Sequence, residues 1–375
     1  MERSGTTPPG ALAAPDLAEL VRHPGPFASV YLVAEGGIDN AAPRLEARWK
    51  TQRGELEAAG APGDLLERMD EPVTGAHRSG DGLALVASSN SPVHVEHSPE
   101  PPVADRAAWA PLPSLVPILA WRQSSPTCLA VLADRSGADL VVLRSAGPDV
   151  HREAGGDDHP MTKSAPGGWS QARFQRRAEQ TWEHNAGDVA DQLAELVERF
   201  APRLVAVGGD VRAVELLQGA VPPPLADRIQ VIDGSRSADG GVDQVATEVD
   251  RLVDAAVEAD TAGLVAKFAE ERGQSDRAAE GPGATLAALA AGQVEVLLVE
   301  HRPDDDRLAS FGSEDPALVA LDPGDLEAMG VTDGGQAPLA DVAVRAALGT
   351  GAGIRIVPAD AGLEGGIGAI LRWAS

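Results

Sequence analysis

Short apolar runs typical of β-strands alternate with longer helical segments along this 375-residue chain. In the middle of the sequence, two apolar runs at 127–133 and 138–143 flank a short turn and predict a β-hairpin. A long helix predicted at 170–200 precedes a buried-type strand at 203–209. Strand, helix and strand at this spacing favour parallel pairing in one sheet. The alternation therefore predicts an α/β fold.

Three α/β domains of ordinary size fit the length of the chain. We place them at 1–124, 125–255 and 256–375. Strands are predicted at 27–33, 83–87, 229–232, 294–299, 316–321 and 353–357, and helices at 16–21, 42–59, 211–217, 242–272, 284–291 and 338–348. Loops are predicted for the Pro-rich segment 99–117, as the exit from the first domain, and for the polar segment 151–168.

The charge balance limits the partners of the chain. It carries 31 basic and 57 acidic residues, a net charge of −26, so its bulk surface should repel nucleic acid. No run of about eighteen uncharged apolar residues is present, so we expect no membrane partner. The N-terminal residues lack the apolar core of a signal peptide, and Cys128 is the only cysteine. These features indicate a cytoplasmic protein.

One segment, Lys163–Arg177, has the opposite charge to the rest of the protein. It contains four basic residues and no acidic residue. Gly167 and Gly168 allow a flexible turn, and Ser170 suits the N-cap of the following helix. The arginines of this helix share roughly one face, as a phosphate-binding surface requires. Chance clustering on a solvated helix is the alternative, and the spacing alone does not decide between them.

A second basic cluster, Arg44, Arg48 and Arg53, lies on the first-domain helix with Trp49 beside it. A solvated helix face is the favoured interpretation, and a secondary RNA contact stays open.

The remaining motifs indicate neither a metal nor a cofactor. The sequences at 94–97 and 157–159 contain histidines and carboxylates but lack the spacing of a metal site. The glycines at 349–353 precede a strand instead of joining a strand to a helix, so they do not fit a dinucleotide site. Cys128 lies in an apolar strand and is predicted to be buried and unreactive.

Three segments together resemble a known family: Gly167–Phe174, Thr285–Val299 and the closing Gly365–Trp373. They are similar to the loop-to-helix segment and the third domain of archaeo-eukaryotic release factors and Pelota. The Gly-Gly-Trp-Ser-Gln form most resembles the bacterial branch of this superfamily. That branch includes the actinobacterial proteins related to Balon and the Vms-type peptidyl-tRNA hydrolases. The resemblance covers residues 125–375, whereas the first domain of this chain matches the family weakly.

The resemblance implies a ribonuclease-H-like middle domain and a C-terminal domain similar to kink-turn-binding ribosomal proteins. It also implies a translation factor that occupies the A site of idle or stressed 70S ribosomes, as a hibernation factor does. Elongation factor Tu is a partner implied by the resemblance alone. The residues expected near the peptidyl-transferase centre and its rRNA are Lys163, Gly167, Gly168, Trp169, Ser170, Gln171, Arg173, Arg176 and Arg177.

One departure from the family pattern bears on catalysis. Trp169 stands where the release factors have the glutamine that helps position water at the peptidyl-tRNA ester. An indole has one donor and no acceptor, so it does not replace an amide. We therefore expect a non-catalytic factor, with a peptidyl-tRNA hydrolase using Gln171 as the alternative. A generic α/β binding protein is the third hypothesis. The triplet at 334–336, Gly-Gly-Gln, is interpreted as a turn and is assigned no catalysis.

Overall fold

The computed structural model describes residues 8–35, 40–78, 80–134, 136–144, 149–155, 185–234, 241–274, 277–302 and 305–373. It divides into two compact units. Unit 1 combines residues 1–123 with 259–375, and unit 2 contains 124–258. Both units consist of sheets with packed helices. The predicted α/β class is confirmed.

The N-terminal part of unit 1 forms an antiparallel sheet of four strands in the order β3-β2-β1-β4. Leu45 of the second helix and Leu65 and Met69 of the third pack against one face of this sheet, beside Val30 and Leu85. The elements are α1 (Pro15–Leu20), β1 (Phe27–Val33), α2 (Ala41–Ala58), α3 (Gly63–Val73), β2 (Gly82–Ser88), β3 (His94–Ser98), β4 (Arg106–Ala110) and α4 (Val116–Ser124).

The C-terminal part of unit 1 contains a mixed sheet and a smaller antiparallel sheet. The elements are β10 (Ala278–Glu280), α9 (Gly281–Ala290), β11 (Val294–Glu300), β12 (Leu308–Phe311), β13 (Val319–Ala320), α10 (Pro323–Ala328), β14 (Gly335–Pro338), α11 (Leu339–Thr350), β15 (Gly353–Val357) and β16 (Ile367–Leu371). The mixed sheet has the order β10-β16-β11-β15, with β11 and β15 parallel. The smaller sheet has the order β13-β12-β14.

The two parts of unit 1 share one hydrophobic core. Leu17, Tyr31 and Leu119 belong to the same buried cluster as Val342 and Ile354. The buried amide of Gln123 donates to the Ile354 carbonyl at 3.0 Å and accepts from the Ile356 amide at 2.9 Å. The first and third predicted domains therefore belong to one compact unit, although 231 residues separate Gln123 from Ile354. The division into three domains stays a prediction.

Unit 2 has a five-stranded sheet with helices on both faces. Its strand order is β7-β6-β5-β8-β9, and β5 pairs in parallel with β8 as predicted. Alternate residues of β5 face opposite sides: Leu129 and Val131 contact the cluster that includes Leu193, whereas Ala130 packs with Val249. The elements are β5 (Cys128–Ala133), β6 (Gly137–Leu143), β7 (Val150–Gly155), the helical residues 185–200 (α5), β8 (Leu204–Gly209), α6 (Val211–Ala220), α7 (Pro223–Ala226), β9 (Ile229–Val231) and α8 (Gly241–Gln274), which continues into unit 1.

Three predicted segments differ from the structure. The predicted loop at 99–117 contains β4, which lies at one edge of its sheet beside β1, and the start of α4. The predicted loop at 151–168 begins inside β7, another edge strand. The strand predicted at 316–321 is reduced to Val319–Ala320. An edge strand such as β7 pairs with a neighbouring strand on one side only. Such strands carry polar side chains, so their sequence lacks the apolar pattern that marks a buried strand.

Candidate nucleic-acid interface

The predicted site of the middle segment lies outside the described residues. This applies to Lys163, Gly167, Gly168, Trp169, Ser170, Gln171, Arg173, Arg176 and Arg177. The loop and the first half of the helix predicted at 170–200 are therefore known only from the sequence. The second half of that helix, 185–200, is helical as predicted.

The elements on both sides of this segment are anchored in unit 2. Before it, β7 pairs antiparallel with β6 along its full length, from Val142–Val150 to Gly137–Gly155. After it, α5 packs on the sheet through Val189, Leu193 and Leu196. The segment 156–184 thus joins an edge strand to a helix whose apolar face is fixed in the core. A basic loop at this position is connected to a rigid scaffold on both sides.

The arginines of the second predicted cluster are all paired with carboxylates. Arg44 Nε lies 2.8 Å from Glu35 Oε2, and Arg48 Nη1 lies 2.8 Å from Asp105 Oδ2. Arg53 Nε donates to Asp70 Oδ1 at 3.1 Å. The three side chains extend from α2 at the spacing expected from the sequence. Their acidic partners neutralise much of the charge that a phosphate-binding stripe would need.

Trp49 belongs to the core and not to this basic surface. Its side chain is buried among Leu45, Leu66 and Met69, and its indole Nε1 donates to Asp70 Oδ1 at 2.8 Å. A satisfied indole in a core is unsuited to stacking on a base. The tryptophan next to the arginines in sequence therefore adds nothing to RNA binding on α2.

One of the two histidines at 94–97, His94, takes part in an ion-pair network with Glu96 and Arg122. His94 Nε2 lies 3.2 Å from Glu96 Oε2, and Arg122 Nη2 lies 2.7 Å from the same oxygen. Arg122 also makes two hydrogen bonds with Asp16, at 2.9 and 2.6 Å. Burial opposes ionisation of Glu96, but hydrogen bonds from His94 and Arg122 outweigh it and lower the pKa of this carboxyl. The network ties α1, β3 and α4 together and is structural.

Metal binding finds no support in the part of the chain that the structure describes. Those residues contain no group of three or more His, Cys, Asp or Glu side chains that could hold an ion. The sequence at 157–159 lies outside the described residues. Cys128 is buried as predicted, and burial raises the pKa of its thiol to about 11.

The Gly-Gly-Gln triplet at 334–336 is not the turn expected from the sequence. Gly335 and Gln336 belong to β14 and pair with Phe311 and Ser310 of β12. A Cβ atom on Gly335 would lie 2.9 Å from the Phe311 ring, so glycine permits the close approach of that ring. The triplet has a packing role in unit 1.

One arginine–aromatic cluster on unit 2 was not anticipated. The guanidinium carbons of Arg144 and Arg199 lie 5.7 and 5.0 Å from the ring centre of Phe200. Arg144 and Phe200 are 56 positions apart, so no local spacing could reveal their contact. Such contacts are cation–π interactions, which hold arginine side chains on the face of an aromatic ring. They connect the residue that follows β6 to the end of α5.

Residues 127–274 match the family model described as bacterial archaeo-eukaryotic release factor family 2. The matched segment begins at β5 and extends through α8. It includes the basic loop and both elements that flank it. The predicted resemblance is confirmed over this segment, which is similar to the bacterial archaeo-eukaryotic release factors.

Relatives cover nearly the whole chain. Two uncharacterized proteins of Mycobacterium tuberculosis, from strains H37Rv and CDC 1551, are each 29% identical over 376 residues. The alignment spans 95% of this chain and 96% of each relative. This chain and these relatives therefore share one overall length and organisation.

Solved structures of release factors and Pelota proteins also match. The archaeal translation termination factor aRF1 is 14% identical with a TM-score of 0.25, covering 95% of this chain and 96% of that chain. Archaeoglobus fulgidus Pelota is 16% identical with a TM-score of 0.31, covering 78% and 80%. A ribosome-bound archaeal Pelota is 15% identical with a TM-score of 0.38, covering 78% of each chain.

Among the helices that the structure describes, none is long and apolar enough to cross a membrane.

Proposed function

We propose that the protein is a ribosome-binding translation factor that occupies the A site of idle or stressed ribosomes and acts there without catalysis. The observation that carries this proposal is the family match over residues 127–274, which contains the whole basic segment Lys163–Arg177. A release-factor-like segment with a basic loop has the chemistry needed to meet rRNA near the peptidyl-transferase centre.

The charge distribution supports the loop as the principal contact. Lys163, Arg173, Arg176 and Arg177 provide four positive charges in a chain of net charge −26. Phosphate contacts by these side chains would release counterions, which makes binding strongly salt-dependent. Trp169 adds a ring that can stack on a base, worth about 1–3 kcal/mol. The acidic remainder of the surface would limit non-specific RNA binding.

A secondary RNA contact by Arg44, Arg48 and Arg53 is a lesser part of the proposal. Each guanidinium has a carboxylate partner within 3.1 Å, so an RNA phosphate would have to compete with an existing ion pair. We therefore assign most of the electrostatic affinity to the basic loop.

The test is sedimentation of the purified protein with 70S ribosomes at several salt concentrations. Wild type should pellet with ribosomes, compete with A-site tRNA and bind more weakly as salt rises. The double variant Arg173→Glu/Arg177→Glu should reduce affinity and lower the slope of log affinity against log salt by about two. Pelleting that is indifferent to salt and to A-site tRNA would contradict the proposal.

A matched control separates the loop from the net charge of the protein. Arg212→Glu/Arg251→Glu makes the same change in net charge on exposed helical arginines of unit 2, each paired with a glutamate three positions away. This control should bind ribosomes much as wild type does. Trp169→Ala should lower affinity without changing the salt slope, because stacking releases few ions. Equal losses in the control and in the loop variant would point to general charge repulsion.

The alternative function is peptidyl-tRNA hydrolysis on stalled ribosomes. The observation that favours it is Gln171, an amide two residues beyond Trp169, in the first turn of the predicted helix. We expect the protein to release peptide from ribosomes carrying peptidyl-tRNA no faster than buffer does. Release that is lost in Gln171→Ala would establish the hydrolase and overturn the non-catalytic assignment.

Two further parts of the proposal rest on the family resemblance and on the composition. Elongation factor Tu is proposed as a partner on the resemblance alone. A cytoplasmic location is proposed because the partner is the ribosome and the chain has a single cysteine. No membrane partner is proposed.

A further inference from the structure

A polar cleft in unit 1 contains three arginines and has no role in the proposed ribosome contact. It has a volume of about 130 Å³ and lies between β4, the end of β11, the start of α11 and the turn before β16. Arg106 comes from the N-terminal part of the unit, while Arg302 and Arg307 come from the C-terminal part. The carboxylates of Glu300, Asp305 and Asp341 line the same cleft, so its charges are mixed.

Two of these arginines are held in place by carboxylates that leave donors unused. Arg302 Nε donates to Glu300 Oε2 at 2.7 Å, and the Glu300 side chain is fully buried. Arg307 uses Nε and Nη2 to bind both oxygens of Asp305. A guanidinium has five N–H donors, and among the described residues the Nη1 group of each arginine has no hydrogen-bond partner.

A glycine turn allows these arginines to lie close to the backbone. Gly365 and Gly366 both adopt left-handed conformations, with φ of 58° and 72°. A Cβ atom at Gly366 would lie 3.0 Å from Arg302 Nε, and one at Gly365 would lie 3.0 Å from Arg307 Nη1. Side chains at these two positions would therefore disturb both guanidinium groups, so the turn forms part of the wall of the cleft.

Arg106 supplies the third positive charge of the cleft. Its guanidinium lies 5.3 Å from the centre of the Tyr31 ring, and Nη2 donates to Ser114 Oγ at 3.4 Å. The nearby Asp341 is buried, and burial raises the pKa of its carboxyl to about 7, against the opposing effects of Arg106 and Ser114.

The cleft also meets the first turn of a helix. Leu339, Ala340 and Asp341 line it at the start of α11, which is 12 residues long. The Leu339 amide already donates to the Arg307 carbonyl at 2.8 Å. The positive end of the α11 dipole adds to the three guanidinium groups and favours an anion.

We propose that this cleft binds a terminal phosphate group, a phosphate monoester held by Arg106, Arg302 and Arg307. Arginine forks match the geometry of phosphate oxygens, and each unused Nη1 group can donate to one of them. A monoester suits the cleft better than a backbone diester, because only the end of a ligand has to enter it. The ligand would bridge the two parts of unit 1 through Arg106 on one side and Arg302 and Arg307 on the other. This inference is independent of the proposed ribosome contact.

Thermal unfolding of the full-length protein tests the proposal with defined probes. Sodium phosphate and adenosine monophosphate should raise the Tm saturably, whereas adenosine, and sodium chloride at matched ionic strength, should not. An oligoribonucleotide with a 5′-phosphate should act like adenosine monophosphate if RNA ends are a source of the ligand. The oligonucleotides are compared in the Arg173→Glu/Arg177→Glu variant, so that binding by the basic loop does not contribute. Equal binding of the same oligonucleotide with a 5′-hydroxyl would then overturn the proposal, because the backbone would be the group recognised.

Two cleft variants and one control locate the effect. Arg106→Gln should weaken phosphate affinity by about tenfold or more, since it removes a charged donor from an exposed side chain. Ala340→Glu should abolish the response by placing a carboxylate in the first turn of α11, where an acidic residue favours the helix. Arg22→Gln removes an exposed arginine of the same unit that pairs with Glu19, and it should respond like wild type. No saturable response in wild type, or wild-type affinity in both cleft variants, would overturn the proposal.

Discussion

The buried carboxyl of Asp341 should make the stability of unit 1 depend on pH near neutrality. Asp341 is 8% exposed, and burial raises its pKa from 3.8 to about 7 in the folded protein. A group whose folded pKa lies above its unfolded pKa opposes folding increasingly as pH rises between the two values. Above pH 7, the ionised carboxyl should therefore lower the free energy of unfolding by about 4 kcal/mol. Each unit of difference between the folded and unfolded pKa contributes about 1.4 kcal/mol.

The variant Asp341→Asn removes this ionisation while keeping the size of the side chain. From the two pKa values, the cost of the carboxyl is roughly 2 kcal/mol at pH 5 and roughly 4 kcal/mol at pH 8. The stability of the variant relative to wild type should therefore increase by roughly 2–3 kcal/mol between pH 5 and pH 8. This difference between two pH values does not depend on any constant effect of the substitution itself.

Urea unfolding at both pH values, in buffers without phosphate and followed by tryptophan fluorescence, measures the effect. Asp325→Asn is the control, because it removes an exposed carboxyl of α10 from the same unit. The control should change little with pH relative to wild type. If Asp341→Asn differs from wild type by the same amount at pH 5 and pH 8, the carboxyl titrates alike in the folded and unfolded states, and the reasoning is refuted.

Three further predictions concern other buried groups. Arg122→Met should destabilise the protein by about 3–5 kcal/mol in urea unfolding, because it leaves Glu96 buried without its guanidinium partner; an unchanged midpoint would contradict the structural role of the network. Gly209→Ala should lower the free energy of unfolding by about 2–4 kcal/mol, since Gly209 has a φ of 133° and a Cβ would lie 1.8 Å from the Ala133 carbonyl oxygen. Gly219→Ala, in open space on α6, is its control and should change stability by less than about 1 kcal/mol. Cys128 should react with a thiol reagent at pH 8 only after the protein unfolds, because its thiol is buried with a pKa of about 11; rapid labelling of the folded protein would show otherwise.

The sequence predicted the elements whose signal is local. The strand Phe27–Val33 and the helices near 42–59 and 338–348 were placed correctly because apolar residues and helical spacing identify them without reference to distant parts of the chain. The strand Arg106–Ala110 was missed, because it lies in a Pro-rich segment and is defined by pairing with β1, some eighty residues earlier.

For the candidate site too, the sequence revealed local features but not contacts between residues that are distant in the chain. The basic composition of Lys163–Arg177 is a local property, and it led to the family that residues 127–274 match. Pairing of Arg48 with Asp105 spans 57 positions, so the sequence could show the arginine but not its neutralisation. The approach of Arg106 to Arg302 in one cleft was equally hidden, because the two residues come from opposite halves of the chain.

The sequence by itself determined the α/β class, the parallel pairing of the middle segment, the burial of Cys128 and the release-factor-like resemblance. Each of these depends on composition, periodicity or a short motif within a few dozen residues. Only the tertiary structure decided that the N-terminal and C-terminal segments share one core, and which arginines are paired with carboxylates. The physical reason is that burial and charge pairing act through space, whereas a sequence pattern records only neighbours along the chain.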